Sequence, residues 1–203
     1  MGFQRSACAA AQAGDLLKLT RIIQRNPEAV RCDGSAGSSG YTPLHYAARA
    51  GKLDCVLFLL SKGSAVDALT REGRSSSLHR AAALGHLPVV RALLAAGADS
   101  LLQDADGESG LHKAAAQGHA AVCSHLLGVS PQAAHLTDKR GLRPRQRATG
   151  SLNHSVMQKN RCSPRVQAGQ RLLSQRTRTQ PLGALEVSRG MAIVAGSPHS
   201  RQG

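Results

Sequence analysis

One short sequence context recurs three times in the first part of this chain at nearly constant spacing. Residues 42–47 read Thr-Pro-Leu-His-Tyr-Ala, residues 76–81 read Ser-Ser-Leu-His-Arg-Ala, and residues 109–114 read Ser-Gly-Leu-His-Lys-Ala. The first two histidines of the series are 34 positions apart and the next two are 33 apart. A fixed period in this range is typical of repeat architectures, in which each unit buries its apolar face only against its neighbours. We therefore expect a stack of short units.

The copy at residues 40–72 predicts a turn followed by two short helices. Thr42 is a suitable N-cap, and Pro43 fits the first helical turn, where its missing N–H is not needed. Gly51 is expected to end the first helix in a left-handed conformation, and residues 64–74 are expected to form a projecting hairpin. The apolar side chains of the second helix have the spacing of a buried stripe, namely Leu53, Val56, Leu57, Leu59 and Leu60.

These units resemble the ankyrin repeat, whose period is near 33 and whose first helix opens with T-P-L-H-x-A. The resemblance implies an all-α ankyrin-repeat solenoid of paired short helices with β-turn or hairpin fingers. The expected domain covers residues 4–142, with an N-terminal capping repeat at 4–39 and repeats at 40–72, 73–106 and 107–140. Such stacks bind other proteins along their concave side, so we expect a binding module and no enzyme.

The N-terminal copy is degenerate. Gly14 aligns with Gly51, but Arg5-Ser6-Ala7-Cys8 replaces the Thr-Pro-Leu-His box. Because terminal units of a stack are usually atypical, this copy is expected to be the cap. The connection to the next unit is longer by four residues, and the Gly/Ser-rich segment Asp33–Gly40 predicts an irregular finger.

The repeat pattern stops soon after residue 140, and the charge balance changes there. Residues 1–142 hold 15 Lys and Arg against 11 Asp and Glu, whereas residues 143–203 hold 11 against 1. The second segment has no aromatic residue and no helical stripe, so we expect a basic disordered tail. Alternatively, the abrupt change marks a variant C-terminus. The last repeat would then lack a proper cap over Leu111, Val122, Leu126 and Leu127.

Composition restricts the cellular setting. No apolar run approaches the 18 residues of a membrane span, and the N-terminus has no signal-like hydrophobic segment. Five cysteines without paired spacing agree with a reducing compartment, so a monomer in the cytoplasm or nucleus is expected. Met1-Gly2 with Ser6 fits the loose N-myristoylation pattern, although Phe3 is unfavourable for it.

Catalytic, cofactor and metal sites are not predicted. His45, His79 and His112 occupy the fingerprint position, where a structural role explains their regular spacing. Neighbouring copies would be a repeat apart, too far to share one metal ion. The glycines of residues 34–40 lack the Lys and the strand–helix context of a phosphate loop.

The binding residues are predicted from their positions relative to the fingerprint histidines. In the ankyrin fold the residue after each fingerprint histidine points toward the groove, which here gives Tyr46, Arg80 and Lys113. Tyr and Arg are favoured in binding hot spots, and a positive groove suits a protein partner with an acidic segment. Because Asp104, Asp106 and Glu108 make the next finger acidic, a bipolar partner, with both acidic and basic groups, is the alternative. The other predicted contacts are Arg49, one turn beyond Tyr46, and Arg71 and Arg74 on the finger.

The second hypothesis assigns binding to the tail. Its arginines would attract nucleic acid or anionic membrane non-specifically and in a salt-dependent way. They are scattered along the segment, and no aromatic side chain is available for base stacking. Deleting residues 143–203 separates the two hypotheses, since only tail-mediated binding would be lost.

Overall fold

The computed structural model describes residues 6–31 and 39–148. The α-helices of these two ranges come in pairs, each pair forming one unit of the stack, and a single helical turn follows the last pair. Their bounds are Ala7–Ala13 (α1), Leu16–Arg25 (α2), Pro43–Arg49 (α3), Leu53–Ser61 (α4), Ser77–Ala83 (α5), Leu87–Ala95 (α6), Gly110–Ala116 (α7), Ala120–Val129 (α8) and Pro144–Arg147 (α9).

Alanine pairs let the first helices of neighbouring repeats approach one another. The two central alanines of α1, α3, α5 and α7 are at most 1% exposed, and each of these helices packs against the next. A side chain larger than a methyl group would separate the helix axes, so the small residues set the repeat-to-repeat distance. The pairs are Ala10-Ala11, Ala47-Ala48, Ala81-Ala82 and Ala114-Ala115.

The second helices supply the larger apolar side chains of the core. Leu59 and its counterparts Leu93 and Leu126 are fully buried. The predicted stripe on α4 needs one correction, because Leu57 is 49% exposed. Leu57 lies two residues from Leu59 and therefore on a different side of the helix.

The fingers between repeats are tight turns, and no ladder of strands is present in residues 6–31 and 39–148. The backbone N–H of Asp104 donates to the carbonyl of Glu108 at 3.0 Å, and Asp138 donates likewise to Leu142 at 2.9 Å. One isolated bridge joins Gln103 and Ser109. The predicted hairpin at 64–74 is likewise a turn, in which the backbone N–H of Thr70 donates to the carbonyl of Ser75 at 3.1 Å. Arg74, within this turn, has a φ of 45° in the left-handed region.

The C-terminal end of the stack differs from the prediction. Helix α9 begins a fifth unit beyond residue 142 and packs on α7, with Pro144 buried. Val122 and Leu127 are 1% exposed, and Leu111 and Leu126 are fully buried. The alternative in which these four side chains lack a cap is therefore wrong for the described structure.

Two expectations lie outside the described residues. Most of the irregular finger predicted at 33–40 lies in the undescribed segment 32–38. The predicted disordered tail is undescribed from residue 149 onward. Among the helices that are described, none is long and apolar enough to cross a bilayer.

Candidate protein-binding surface on the first helices

The fingerprint histidines link each repeat to the next. The backbone N–H of Thr42 donates to Nδ1 of His45 at 3.1 Å, so this ring carries its proton on Nε2. Nε2 then donates to the carbonyl of Ser75, at the start of the following repeat, over 3.0 Å. His79 and His112 repeat this arrangement with the carbonyls of Glu108 and Leu142.

Burial keeps these imidazoles neutral. It lowers the pKa of His45 from 6.5 to about 4, because the charged ring would lose its hydration. The pKa values of His79 and His112 are lowered for the same main reason. Since both ring nitrogens of each histidine already have partners, the three rings hold the stack together. In the described ranges, no group of three or more His, Cys, Asp or Glu is placed to hold a metal ion.

Two further histidines form hydrogen bonds with the preceding repeat, whereas the fingerprint histidines bond to the following one. Nε2 of His86 lies 3.1 Å from the carbonyl oxygen of Arg49, and Nε2 of His119 lies 3.1 Å from that of Ala83. Each ring covers a glycine of the preceding repeat, Gly51 or Gly85, where a Cβ would come within 2.7 or 2.5 Å of Nδ1. A side chain cannot be added at these glycines without moving the ring.

The described cysteines are unsuited to nucleophilic catalysis. Cys8, Cys55 and Cys123 are free thiols and all are buried. Burial raises the pKa of Cys123 to about 11 and also raises that of Cys55. A thiol held protonated in this way is a poor nucleophile, so Cys55 and Cys123 act as small apolar side chains.

Four first-helix side chains occupy the position that follows the fingerprint residue. They are Tyr46, Arg80, Lys113 and Arg147, all half-buried. We call the surface around them the first-helix surface. Arg147 was not predicted, because Gln146 replaces the histidine before it. The Gln146 side chain accepts a hydrogen bond from the backbone N–H of Arg143 at 2.8 Å, as the histidine rings do in their own repeats.

The guanidinium of Arg80 lies over the ring of Tyr41, which is itself packed against Tyr46. The centroids of the Tyr41 and Tyr46 rings are 5.3 Å apart, and the guanidinium carbon of Arg80 lies 5.2 Å from the Tyr41 centroid. This distance is within the range of cation–π attraction. The Nε of Arg80 is buried and has no hydrogen-bond partner in the described structure. The sequence prediction missed Tyr41, although an aromatic residue directly before the Thr-Pro-Leu-His box was the available signal.

Lys113 and Arg147 have acidic partners from the chain itself. The ammonium of Lys113 lies 2.8 Å from a carboxylate oxygen of Asp104 and 2.5 Å from one of Glu108. Arg147 forms ion pairs with Glu108 and Asp138. Burial alone would lower the pKa of Lys113, but its two carboxylate partners outweigh that effect and raise it. The acidic finger noted in the sequence thus neutralises a predicted contact residue.

These ion pairs border a charged cavity of about 310 Å³ near the last described turn. Burial alone would raise the pKa of Asp104, yet hydrogen bonds from Lys113 and from backbone N–H groups lower it. The buried charges around this cavity therefore satisfy one another. Its lining consists of Asp106, Glu108, Lys113, Asp138, Lys139, Arg140 and Arg147.

The three remaining predicted residues are exposed arginines. Arg49 ends α3, while Arg71 and Arg74 lie in the turn before α5. The backbone N–H of Arg71 donates to the carbonyl of Ser39 at 2.8 Å, which joins this turn to the preceding one. That these three side chains contact a partner stays a prediction, as it does for Tyr46, Arg80 and Lys113.

Comparison with known families agrees with this geometry. Two overlapping matches to the model for ankyrin repeats in three copies cover residues 7–104 and 78–158. The chain belongs to the ankyrin-repeat family. The ankyrin-repeat fold predicted from the Leu-His spacing is thereby confirmed. Ankyrin repeats indicate a protein–protein interaction module, and the fold is generally non-catalytic.

Several relatives of this ankyrin-repeat chain are named as palmitoyltransferases. Hip14 of Drosophila melanogaster is 35% identical over 98 residues, covering 48% of this chain and 15% of Hip14. Human ZDHHC13 is 48% identical over 66 residues, which are 32% of this chain and 11% of ZDHHC13. ZDHHC17 of Danio rerio is 38% identical over 98 residues, or 46% of this chain and 16% of ZDHHC17. The chain thus spans less than a fifth of each of these relatives, and the likeness concerns their ankyrin-repeat regions.

Proposed function

We propose that this chain is a non-catalytic scaffold or adaptor that binds a partner protein on the first-helix surface. The observation that carries the proposal is the group formed by Tyr41, Tyr46 and Arg80. Aromatic and arginine side chains that lie close together on a surface are typical of binding hot spots. The ankyrin fold presents the first helices on its concave side, where a partner segment can contact several repeats.

Charge supports a partner with an acidic segment near repeats two and three. Arg80 has no acidic partner within the described residues, and Arg49, Arg71 and Arg74 are exposed and lack ion pairs there. Repeat four differs, because the acidic residues beside Lys113 are paired. We therefore assign the main contact to repeats two and three.

Binding of nucleic acid through residues 143–203 is the alternative function. It rests on the excess of 11 basic over 1 acidic residue in that segment. Such binding would weaken steeply with salt. Binding of an acidic segment by the four arginines named above would also weaken with salt, but less steeply than binding through the 11 basic residues of that segment.

We also propose that the chain is a close relative of a small four-repeat ankyrin protein. Leu-His-Arg-Ala with Leu-His-Lys-Ala, the extra residue before the third unit and the pair Cys123-Ser124 resemble ankyrin repeat domain-containing protein 39. We further propose that the chain acts as a monomer in the cytoplasm or nucleus, in keeping with its unpaired cysteines.

Affinity purification with the full chain tests the proposed function. The test variant is Arg80→Glu, and the matched control is Arg91→Glu, which makes the same charge change at an exposed site on α6. Lys113→Glu is a poor choice, because it would place a third carboxylate beside Asp104 and Glu108. We expect mass spectrometry to identify a protein that Arg91→Glu retains and Arg80→Glu loses. Equal recovery by both variants would contradict the assignment, and loss of all partners on deleting residues 149–203 would favour the tail.

A further inference from the structure

Three basic residues of the first-helix surface occupy equivalent positions and differ in their partners. Lys113 contacts two carboxylates of the chain, and Arg147 also contacts two. Arg80 makes no salt bridge in the described structure, and its guanidinium lies over the Tyr41 ring.

The carboxylates beside Lys113 and Arg147 come from two positions of the repeat. One is in the finger, occupied by Asp104 before α7 and by Asp138 before α9. The other directly precedes the N-cap residue and is occupied by Glu108 before α7. Around Arg80 the corresponding residues are uncharged. Thr70 is in the finger before α5, Ser75 directly precedes the N-cap of α5, and Tyr41 directly precedes that of α3.

Thr70 has the same structural role in its finger as Asp104 and Asp138 have in theirs, but it carries no charge. Oδ1 of Asp104 accepts the backbone N–H of Glu108 at 2.9 Å, and Oδ1 of Asp138 accepts that of Leu142 at 2.8 Å. Oγ1 of Thr70 accepts the backbone N–H of Ser75 at 3.0 Å in the same way. The turn is therefore built equally well, but the negative charge that would face Arg80 is absent.

We propose that Arg80, with Tyr41 and Tyr46, forms a subsite for an aspartate or glutamate carboxylate supplied by the partner protein. This inference rests on the proposed function and specifies which chemical group the surface recognises. A guanidinium binds a carboxylate through paired N–H donors, and the Tyr41 ring beside Arg80 orients the guanidinium plane. The bound carboxylate takes the part that Asp104 and Glu108 play for Lys113.

Two observations favour a carboxylate from another protein. The intrachain groups that neutralise the equivalent cations are themselves carboxylates, so the surroundings of this position accommodate that group. The chain's own residues beyond 148 are a poor source, since residues 143–203 hold a single acidic residue among 11 basic ones. An acidic side chain from a partner protein agrees with both observations.

A pair of substitutions at Thr70 tests the subsite without altering Arg80. Thr70→Asp introduces the carboxylate found at Asp104 and Asp138, so Arg80 gains a partner within the chain. Thr70→Asn offers a similar acceptor oxygen to Ser75 without the charge, and is the matched control. The probe is a labelled peptide of alternating Glu and Gly, with Gln-for-Glu and phosphoserine-for-Glu versions, titrated into full-length protein.

The readout must distinguish the subsite from the basic tail. NMR of the Arg80 Nε–H does so, with its signal assigned through its loss in Arg80→Lys. We expect the Glu peptide to shift this signal saturably in wild type and Thr70→Asn, and the affinity to fall about tenfold or more in Thr70→Asp. The Gln peptide should leave the signal unchanged.

Three results would overturn the inference. They are shifts confined to other arginines, equal affinity of Thr70→Asp and Thr70→Asn, or a response to the phosphoserine peptide alone, which would assign the subsite to phosphate. Failure here is distinct from failure of the proposed function. If a partner is lost in Arg80→Glu but bound equally by both Thr70 variants, the surface binds protein without this carboxylate contact.

Discussion

The imidazole of His79 donates from Nε2 to the main-chain oxygen of Glu108 at 2.9 Å, while the Glu108 side chain binds Lys113 and Arg147. One residue thus receives the structural bond from the repeat before it and pairs with cations of its own repeat and of the next. Residues of three successive units are tied together at this point. In this part of the stack, the same residue therefore contributes to the hydrogen bonding between repeats and to the charge of the first-helix surface.

We expect stability to fall as the pH drops below about 6.5. The folded state lowers the pKa of His45 to about 4, so the unfolded chain binds more protons between these values. The contribution is complete above pH 6.5 and is lost as the pH falls toward 4. The shift in the His45 pKa alone should lower the free energy of unfolding by about 2 kcal/mol between pH 7.5 and pH 5. Urea unfolding of the full chain measures this difference.

His45→Gln is the control for that pH dependence. Gln146 already shows that glutamine can bond back to the N-cap N–H in this position. The variant should be less stable at pH 7.5, since the bond to the Ser75 carbonyl is weakened, but should lose less stability on going to pH 5. An unchanged pH dependence in this variant would show that other groups control the transition.

Gly85→Ala should destabilise the chain more than Gly63→Ala. Both glycines have positive φ, 73° and 79°, so both substitutions incur backbone strain of about 1 kcal/mol. Only at Gly85 would the new Cβ meet a side chain, 2.5 Å from Nδ1 of His119. We expect a further loss of about 1–2 kcal/mol there in urea unfolding. Equal losses at both sites would mean that the His119 ring moves away freely.

Residues 143–148 should stabilise the fourth repeat. A chain ending after residue 142 loses Arg147, with its ion pairs to Glu108 and Asp138, and the buried Pro144. A chain ending after residue 148 keeps them. Hydrogen exchange of the α7 and α8 amides should be faster in the shorter chain by about tenfold or more, as expected for a loss of roughly 1.4 kcal/mol. Identical exchange in both would show that α9 contributes no stability.

Arg74→Gly should raise stability. Arg74 is the one non-glycine residue with positive φ in the described ranges, and its counterparts Gly107 and Gly141 both have a φ of 74°. Removing the side chain relieves strain of about 1 kcal/mol, partly offset by the greater freedom of glycine in the unfolded chain. A net gain of about 0.5 kcal/mol in urea unfolding is expected. If Arg74 also contacts the partner, affinity should decrease in the same variant.

The sequence was sufficient to predict the fold because the period and the turn glycines are local signals. The spacing from His45 to His79 and the glycine that ends each first helix depend on residues close in the chain. The ion pair of Arg147 with Glu108 joins residues 39 positions apart, and it forms only because α9 packs on α7. Sequence patterning therefore indicated Lys113 as a contact residue, whereas in the folded chain Asp104 and Glu108 of the preceding finger neutralise it.

Photo-crosslinking tests the central claim most directly. A benzoylphenylalanine placed at Tyr46 reports on the first-helix surface, and one at Leu57, 49% exposed on α4, reports on the opposite helix of the same repeat. We expect the full chain to form a covalent adduct with a partner protein from Tyr46 and none with that partner from Leu57. An adduct from Leu57 alone, or equal adducts from both positions, would contradict binding on the first-helix surface.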